Sequence, residues 1–521
     1  MTRTFAADGV ENRLRLLALT HGRPLWRLAE AVPPVRLRLN AALIDRAVRE
    51  MPGRPEPLST LAPYTSWTSL TDRSYLGRHL PPTPGGEARP SPERAADLFT
   101  RGHTMIPCPK STVLFAYFAQ WFTDGFLRGD TRLPRDPRVN SSNHEIDLNQ
   151  LYGLDAAATA AVRTFDGGLL KSQEIDGGEF PPHLCEKGEV KPEFAALSVA
   201  RMDLLDAPAR DTLFAFGGDR GNTQVGFALL TILFLREHNR VARLLAEDNP
   251  RWDDERLFQT ARNIVIAIVI KLVLEEYINH ITPYHFRFVL DPALTRRLSR
   301  AVWHRQNWAS AEFNLVYRWH QLVPSALDVG GKELPLAATL FGSALIPRPG
   351  LGRLFEEASE QRAGRIGLFN TDPALREVDV ASIAGSRALD LAPYNAYREH
   401  CRFPRARRFE HISTDPRVGG ALRDLYASVD DVDLYVGLFA EEPGSPRAIL
   451  PPLLTKIIAI DAFSQALTNP LLAPRVANAR TFSPLGMKII GSTRTLSDVL
   501  HRNIPEDPKP RFVSMTWRGA L

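Results

Sequence analysis

Glu312-Phe313-Asn314-Leu315-Val316-Tyr317-Arg318-Trp319-His320 lies near the middle of the 521-residue chain, and its reading decides the rest. Read as a helix, the run sets Tyr317 three residues before His320, so both side chains emerge on roughly one face about one turn apart. An imidazole so placed can ligate a metal, and a phenol one turn back can share an electron path with it without touching it. The segments around the run repeat the helical pattern. Val225 opens a long helix through Leu235-Arg236-Glu237-His238-Asn239-Arg240, and Ile264 to Ile270 is an unbroken apolar run too long for most strands. A buried helix in an all-helical core accounts for that run. His238 sits inside a charged patch, which favours a hydrogen-bonded structural residue over a ligand.

Composition narrows the class. With 44% hydrophobic and 24% charged residues the chain is ordinary globular material, and its 41 prolines fit many helices joined by rigid loops. Three scattered cysteines, Cys108, Cys185 and Cys401, make neither a disulfide framework nor a metal cluster and point to a reducing compartment. A net charge of +5 is only mildly basic for this length and favours an acidic surface or substrate over nucleic acid. Met1 to Arg13 has no apolar core of a leader, and Ile264–Ile270 meets Lys271 before it could span a bilayer. The expectation is neither export nor a transmembrane anchor.

Two further stretches carry chemistry. Phe115-Ala116-Tyr117-Phe118-Ala119-Gln120-Trp121-Phe122-Thr123-Asp124 is an apolar helix with Gln120 and Asp124 among its few polar groups, which need partners or a cavity to face. Leu16 to Glu50 interleaves short apolar stretches with arginines and is interrupted at Pro24 and Pro33-Pro34. Short amphipathic helices with a basic face suit a lipid surface, although two packing helices would read the same.

The central run, the Leu235–Arg240 hexapeptide and the Phe115–Asp124 helix together resemble the animal-type haem peroxidases, in their cyclooxygenase and fatty-acid dioxygenase branch. The resemblance covers nearly the whole chain from Leu19 onward. It implies an all-α, predominantly helical peroxidase domain over 51–521, preceded by membrane-binding-like helices over 1–50. By resemblance, haem b is held by His320 as proximal ligand beside Trp319, and Tyr435 hydrogen-bonds to that histidine. Tyr317 stands at the radical tyrosine, Tyr277 beside it, and Tyr284 at the channel constriction with an arginine. The ungapped match for that arginine lands on Ala47, so Arg46 and Arg49 are both candidates, and Ala462 meets the upper-channel serine. Gln120 corresponds to the distal glutamine, whereas Asp124 replaces the distal histidine.

The implied activity is dioxygenation of an unsaturated fatty acid by O2, in a cytoplasmic protein peripheral to the membrane; a homodimer stays open. A carboxylate at Asp124 can in principle take and return the proton of a peroxide. Its presence also keeps two other readings open, a tailoring oxidase for a small metabolite and a haem or lipid binder without peroxidase activity.

Overall fold

The computed structural model describes residues 14, 17–49, 73–85, 89–129, 136–304, 308–445 and 447–519. Met1–Arg13, Leu16 and the boundary expected at residue 50 lie outside the described residues. Ten helices frame the candidate site: α1 (Arg23–Ala31), α2 (Pro33–Arg49), α3 (Val113–Asp124), α4 (Val225–Asp248), α5 (Asp254–Leu272), α6 (Ala311–Val316), α7 (Arg376–Ala388), α8 (Leu434–Ala440), α9 (Pro452–Leu467) and α10 (Ala479–Ser492). Sheet is confined, among the described residues, to two-stranded pieces such as β1 (Pro107–Thr112) with β2 (Arg362–Gly364). The expected all-α class is what is observed.

Local chemistry fixes where the long helices begin. The Gln224 side chain accepts from the Phe227 amide at the start of α4, and the Asp253 carboxylate accepts from the Arg256 amide at the start of α5. Each satisfies a backbone donor that the helix itself cannot. Helices α3, α4 and α5 each carry a long apolar stretch and are buried over most of their length. They pack on one another and on α10 as the central layer.

Lys271 does not end the apolar helix. It is buried, donates to Glu275 Oε2 at 3.0 Å, and lets α5 run on through a π-helical turn (Val273–Tyr277) to Ile281. By length and composition, Asp254–Ile281 could cross a membrane. Within the fold, 83% of its most apolar window is buried, so here it is a core helix.

The two N-terminal helices differ. Helix α2 turns Asn40, Ala41, Ile44 and Val48 into the core, whereas α1 buries no residue at all. Leu14, Leu17, Leu25, Leu28, Val32 and Val35 are all exposed. Arg287 N donates to Glu30 Oε1 at 2.7 Å and His285 N to the Leu19 carbonyl at 3.0 Å, tying this layer to the loop after α5.

Candidate functional site

The central run is not one continuous helix. Ser310 caps α6 by accepting from the Phe313 amide at 2.9 Å, the helix stops at Val316, and Tyr317 closes it with φ −91°. Trp319 then turns out of helical geometry, and His320 opens a separate 3-10 turn through Leu322. The expected single face is therefore replaced by a bend. Gly364 in β2 packs closely against the turn that follows: an added Cβ would sit 2.0 Å from the Gln321 carbonyl oxygen.

The bend stacks the Tyr317 ring on Trp319, with centroids 4.8 Å apart and planes 28° apart. Trp319 stacks in turn on Phe115 of α3 at 5.9 Å, and Phe115 on Tyr277 at 5.4 Å. Neither the Tyr317 nor the Tyr277 hydroxyl meets the geometry of a hydrogen bond, and the Trp319 indole N–H is also unsatisfied. Burial pushes the Tyr317 phenol up, the neighbouring Tyr277 hydroxyl opposing the shift and the Asp461 charge adding to it. Tyr277 is raised as well, by burial and then by Tyr317. Both phenols thus hold their protons firmly beside one another.

Behind His320 stands a residue that the sequence reading passed over. His320 Nδ1 lies 3.2 Å from Asp379 Oδ1, and the Tyr435 hydroxyl donates to the same oxygen at 2.7 Å. A carboxylate oxygen accepts, so the imidazole proton sits on Nδ1 and Nε2 keeps its lone pair for a metal. Tyr435 therefore does not bond to His320, as expected from the resemblance; it reaches the histidine through Asp379 and also donates to the Arg318 carbonyl at 3.1 Å. Burial, reinforced by that carboxylate, holds the Tyr435 phenol well above its usual range. A signal for Asp379 did exist: with Ser382, Ile383 and Ser386 it forms the buried stripe of α7, an unusual place for an acid.

Helix α3 is buried along nearly its whole length, but Gln120 is exposed and Ala116 half-buried. Asp124, one turn further, has both oxygens committed: Oδ2 accepts from Arg128 Nη1 and Oδ1 from Arg220 Nη1, each at 2.6 Å. Arg128 also donates to Asp219 Oδ1 at 2.6 Å. Protonating Asp124 would disrupt two buried ion pairs, which suits it to hold Arg220 rather than to shuttle a proton.

Arg220, with 31% of its side chain exposed, and Arg318, whose guanidinium donates to Asn314 Oδ1 at 2.9 Å, were also not assigned from the sequence. Burial and then the Arg220 charge lower the Arg318 guanidinium. Two neighbouring cations with one carboxylate between them make a receptor for acidic groups. These residues fit a haem: His320 Nε2 would be free to ligate the iron, and Arg318 and Arg220 could pair with its acidic groups.

The proposed carboxylate grip is less concentrated. Arg49 is 55% exposed and donates to Asp45 Oδ1 at 2.8 Å, Arg46 is exposed, and Tyr284 is half-buried. A third arginine of α2, Arg36, faces a cavity. With Leu37, Asn40, Val289, Asp291 and Leu294 it lines a space of about 330 Å³. Ala462 is buried on α9 beside Asp461, whose Oδ2 accepts from Ser310 at 2.8 Å and pairs with His79 Nε2 at 2.7 Å. His238 is structural, held between the Tyr152 hydroxyl at 3.0 Å and the Gly168 carbonyl at 2.9 Å, and burial lowers its pKa to about 4.

Comparison with known proteins extends the geometry. Prostaglandin G/H synthase 2 of Equus caballus is 30% identical over 511 residues, 95% of this chain and 81% of the relative. Prostaglandin G/H synthase 1 of Mus musculus is 31% identical over 510 residues with the same coverage. Among solved structures, the fatty acid alpha-dioxygenase of Oryza sativa superposes with a TM-score of 0.69 at 16% identity, covering 96% of this chain and 95% of that one. Peroxidase A of Dictyostelium discoideum gives 0.66 at 19%, over 88% and 99%. These structures share the fold. The sequence profile of the animal haem peroxidases matches residues 125–512, a span that holds His320, Asp379, Arg220 and Arg318. By that match over most of its length, the chain belongs to the animal haem peroxidase family and is a haem-binding oxidoreductase.

Proposed function

We propose that the protein is a fatty-acid dioxygenase in which Tyr317 carries the radical and an unsaturated acyl chain is the substrate. The observation that supports this most directly is the stack of Tyr317 on Trp319, adjacent in sequence to His320, with the phenol hydroxyl buried and unbonded. When bound, haem supplies a one-electron oxidant at the expense of a hydroperoxide. Trp319 bridges the distance from His320 to Tyr317, and the phenol gives up an electron and its proton. The phenoxyl oxygen then takes a hydrogen atom from a bis-allylic carbon, breaking C–H and forming O–H. Dioxygen adds to the carbon radical, and the peroxyl recovers the hydrogen atom from Tyr317, leaving a hydroperoxide and restoring the radical. Tyr277, alongside, limits where the Tyr317 hydroxyl can point.

Gln120 offers a neutral hydrogen-bonding amide and Arg220 a cation fixed by Asp124. Conventional peroxidase turnover is slow on this reading, because Asp124, at the distal position, is not free to accept and return a proton. The exposed apolar face of α1 and the start of α2 supports delivery of a lipid substrate from a membrane surface, in a cytoplasmic protein whose three cysteines are buried and reduced.

An oxygen electrode tests the reading. Linoleate should give oxygen uptake after a trace of hydroperoxide, and Tyr317→Phe should abolish it, by at least about a hundredfold, with haem content unchanged. A second reading, oxidation of a smaller and more polar metabolite, is favoured by the charged His79–Asp461–Ser310 cluster beside Ala462. It predicts no oxygen uptake and no spectral change with any long-chain acid.

A further inference from the structure

Asp379 is a fully buried carboxylate, and among the described residues no lysine or arginine pairs with it. Its Oδ1 takes both hydrogen bonds, from His320 at 3.2 Å and from Tyr435 at 2.7 Å, while Oδ2 is buried without a partner. An isolated buried charge is costly, so a fold that keeps one supplies compensation from somewhere. The route outward from Asp379 is through the imidazole of His320, whose side chain keeps 19% of its surface exposed.

We propose that Asp379 is the counter-charge to the iron held at His320, and that the carboxylate, tempered by the Tyr435 hydroxyl, sets the preference of that iron for the ferric state. This rests on His320 being the ligand. A carboxylate that draws on the Nδ1 proton makes Nε2 a stronger donor, which stabilises the more positive oxidation state. Tyr435 shares the accepting oxygen and takes part of its electron density, weakening that pull. The pair gives the site a means of tuning iron without a residue touching it. Asp379 is thus a positioning residue, and its effect is visible in equilibrium redox behaviour as well as in turnover.

The geometry allows a clean variant. In Asp379→Asn the amide oxygen can replace Oδ1 and keep both hydrogen bonds, and the amide nitrogen falls where Oδ2 is now unsatisfied, so the charge is what changes. Spectroelectrochemical titration of the haem-loaded protein at fixed pH should show the Fe(III)/Fe(II) midpoint of Asp379→Asn shifted positive by at least about 59 mV. That shift corresponds to a tenfold loss of ferric preference for a one-electron couple. Tyr435→Phe should shift it the opposite way. If Asp379→Asn titrates with the wild-type midpoint, the proposal is wrong. Should that variant fail to fold or load haem, Tyr435→Phe decides: a negative shift supports the proposal and an unmoved midpoint overturns it. His320→Ala, run alongside, separates the two failures. Unchanged ferric and ferrous spectra would remove the ligand itself, and Asp379's role with it; altered spectra with an unmoved midpoint in Asp379→Asn would remove Asp379 alone.

Discussion

Asp124 is bound on both oxygens, by Arg128 and Arg220. On the function proposed above, the aspartate that stands in place of a distal base anchors a cation instead. Asp124→Ala should destabilise the fold by about 1–3 kcal/mol, as read from the urea unfolding midpoint, because the partly exposed Arg220 loses its partner while Arg128 keeps Asp219. It should leave hydrogen peroxide-driven guaiacol oxidation as slow as in the wild type. Faster wild-type turnover that collapsed in this variant would return Asp124 to the role of acid and base. Arg128 keeps Asp219 as a partner in the variant, so Arg220 is the side chain expected to move.

At the scale of elements, the two ends of the chain make different demands. Helix α1 buries nothing, and Leu25 and Leu28 are 73% and 66% exposed. Replacing both by aspartate should leave the unfolding midpoint unchanged but abolish sedimentation with phosphatidylcholine/phosphatidylglycerol vesicles. If the wild type does not sediment, or the doubly charged variant sediments equally, the lipid-facing role is lost. A surface so apolar, adjoining arginines, is otherwise a liability for a protein in water.

The junction of the α5 extension with the C-terminal segment behaves as a pH-sensitive tie. Glu276 accepts from the Leu496 amide at 2.7 Å, and burial raises its pKa from 4.5 to about 7. The native state thus holds a proton that the unfolded chain releases between those values. Stability supplied by this group is intact below pH 4.5 and declines as pH rises towards 7. Glu276→Gln, which keeps an acceptor for Leu496, should be more stable than wild type at pH 7.5 by about 2 kcal/mol, since the side chain keeps some contact with solvent, with the gap closing near pH 4.5. Thermal melts of the two proteins across that range measure it; parallel curves would show that Glu276 titrates normally.

Over the whole molecule, the helical architecture was legible because its long segments carry long apolar stretches and are capped by Gln224 and Asp253, features a linear reading can see. Tyr317, Trp319 and His320 were legible as a group for the same reason: they are neighbours in sequence. What escaped was set by distant contacts. Gly364 closes on the turn after His320 from β2, and the carboxylate behind His320 arrives on α7, 59 residues away. Arg220 meets Asp124 from a loop 96 residues further along the chain. Spacing within a segment carries no information about such meetings. Which side of α2 is inward is set in the same way, by Asn40, Ala41, Ile44 and Val48, and that side carries Arg36 to a cavity that spacing alone does not reveal.

The π-helical turn at Val273–Tyr277 carries one more consequence. Such a turn accommodates an extra residue without breaking the rod, and each residue rotates the downstream helix by roughly 100°. Tyr277 ends that turn, so the direction of its phenol is set by a count along the backbone. A residue lost from the helix ahead of the turn would swing either the buried face of α5 or the Tyr277 ring by that angle, so the core packing and the meeting of the two phenols are held to one residue count.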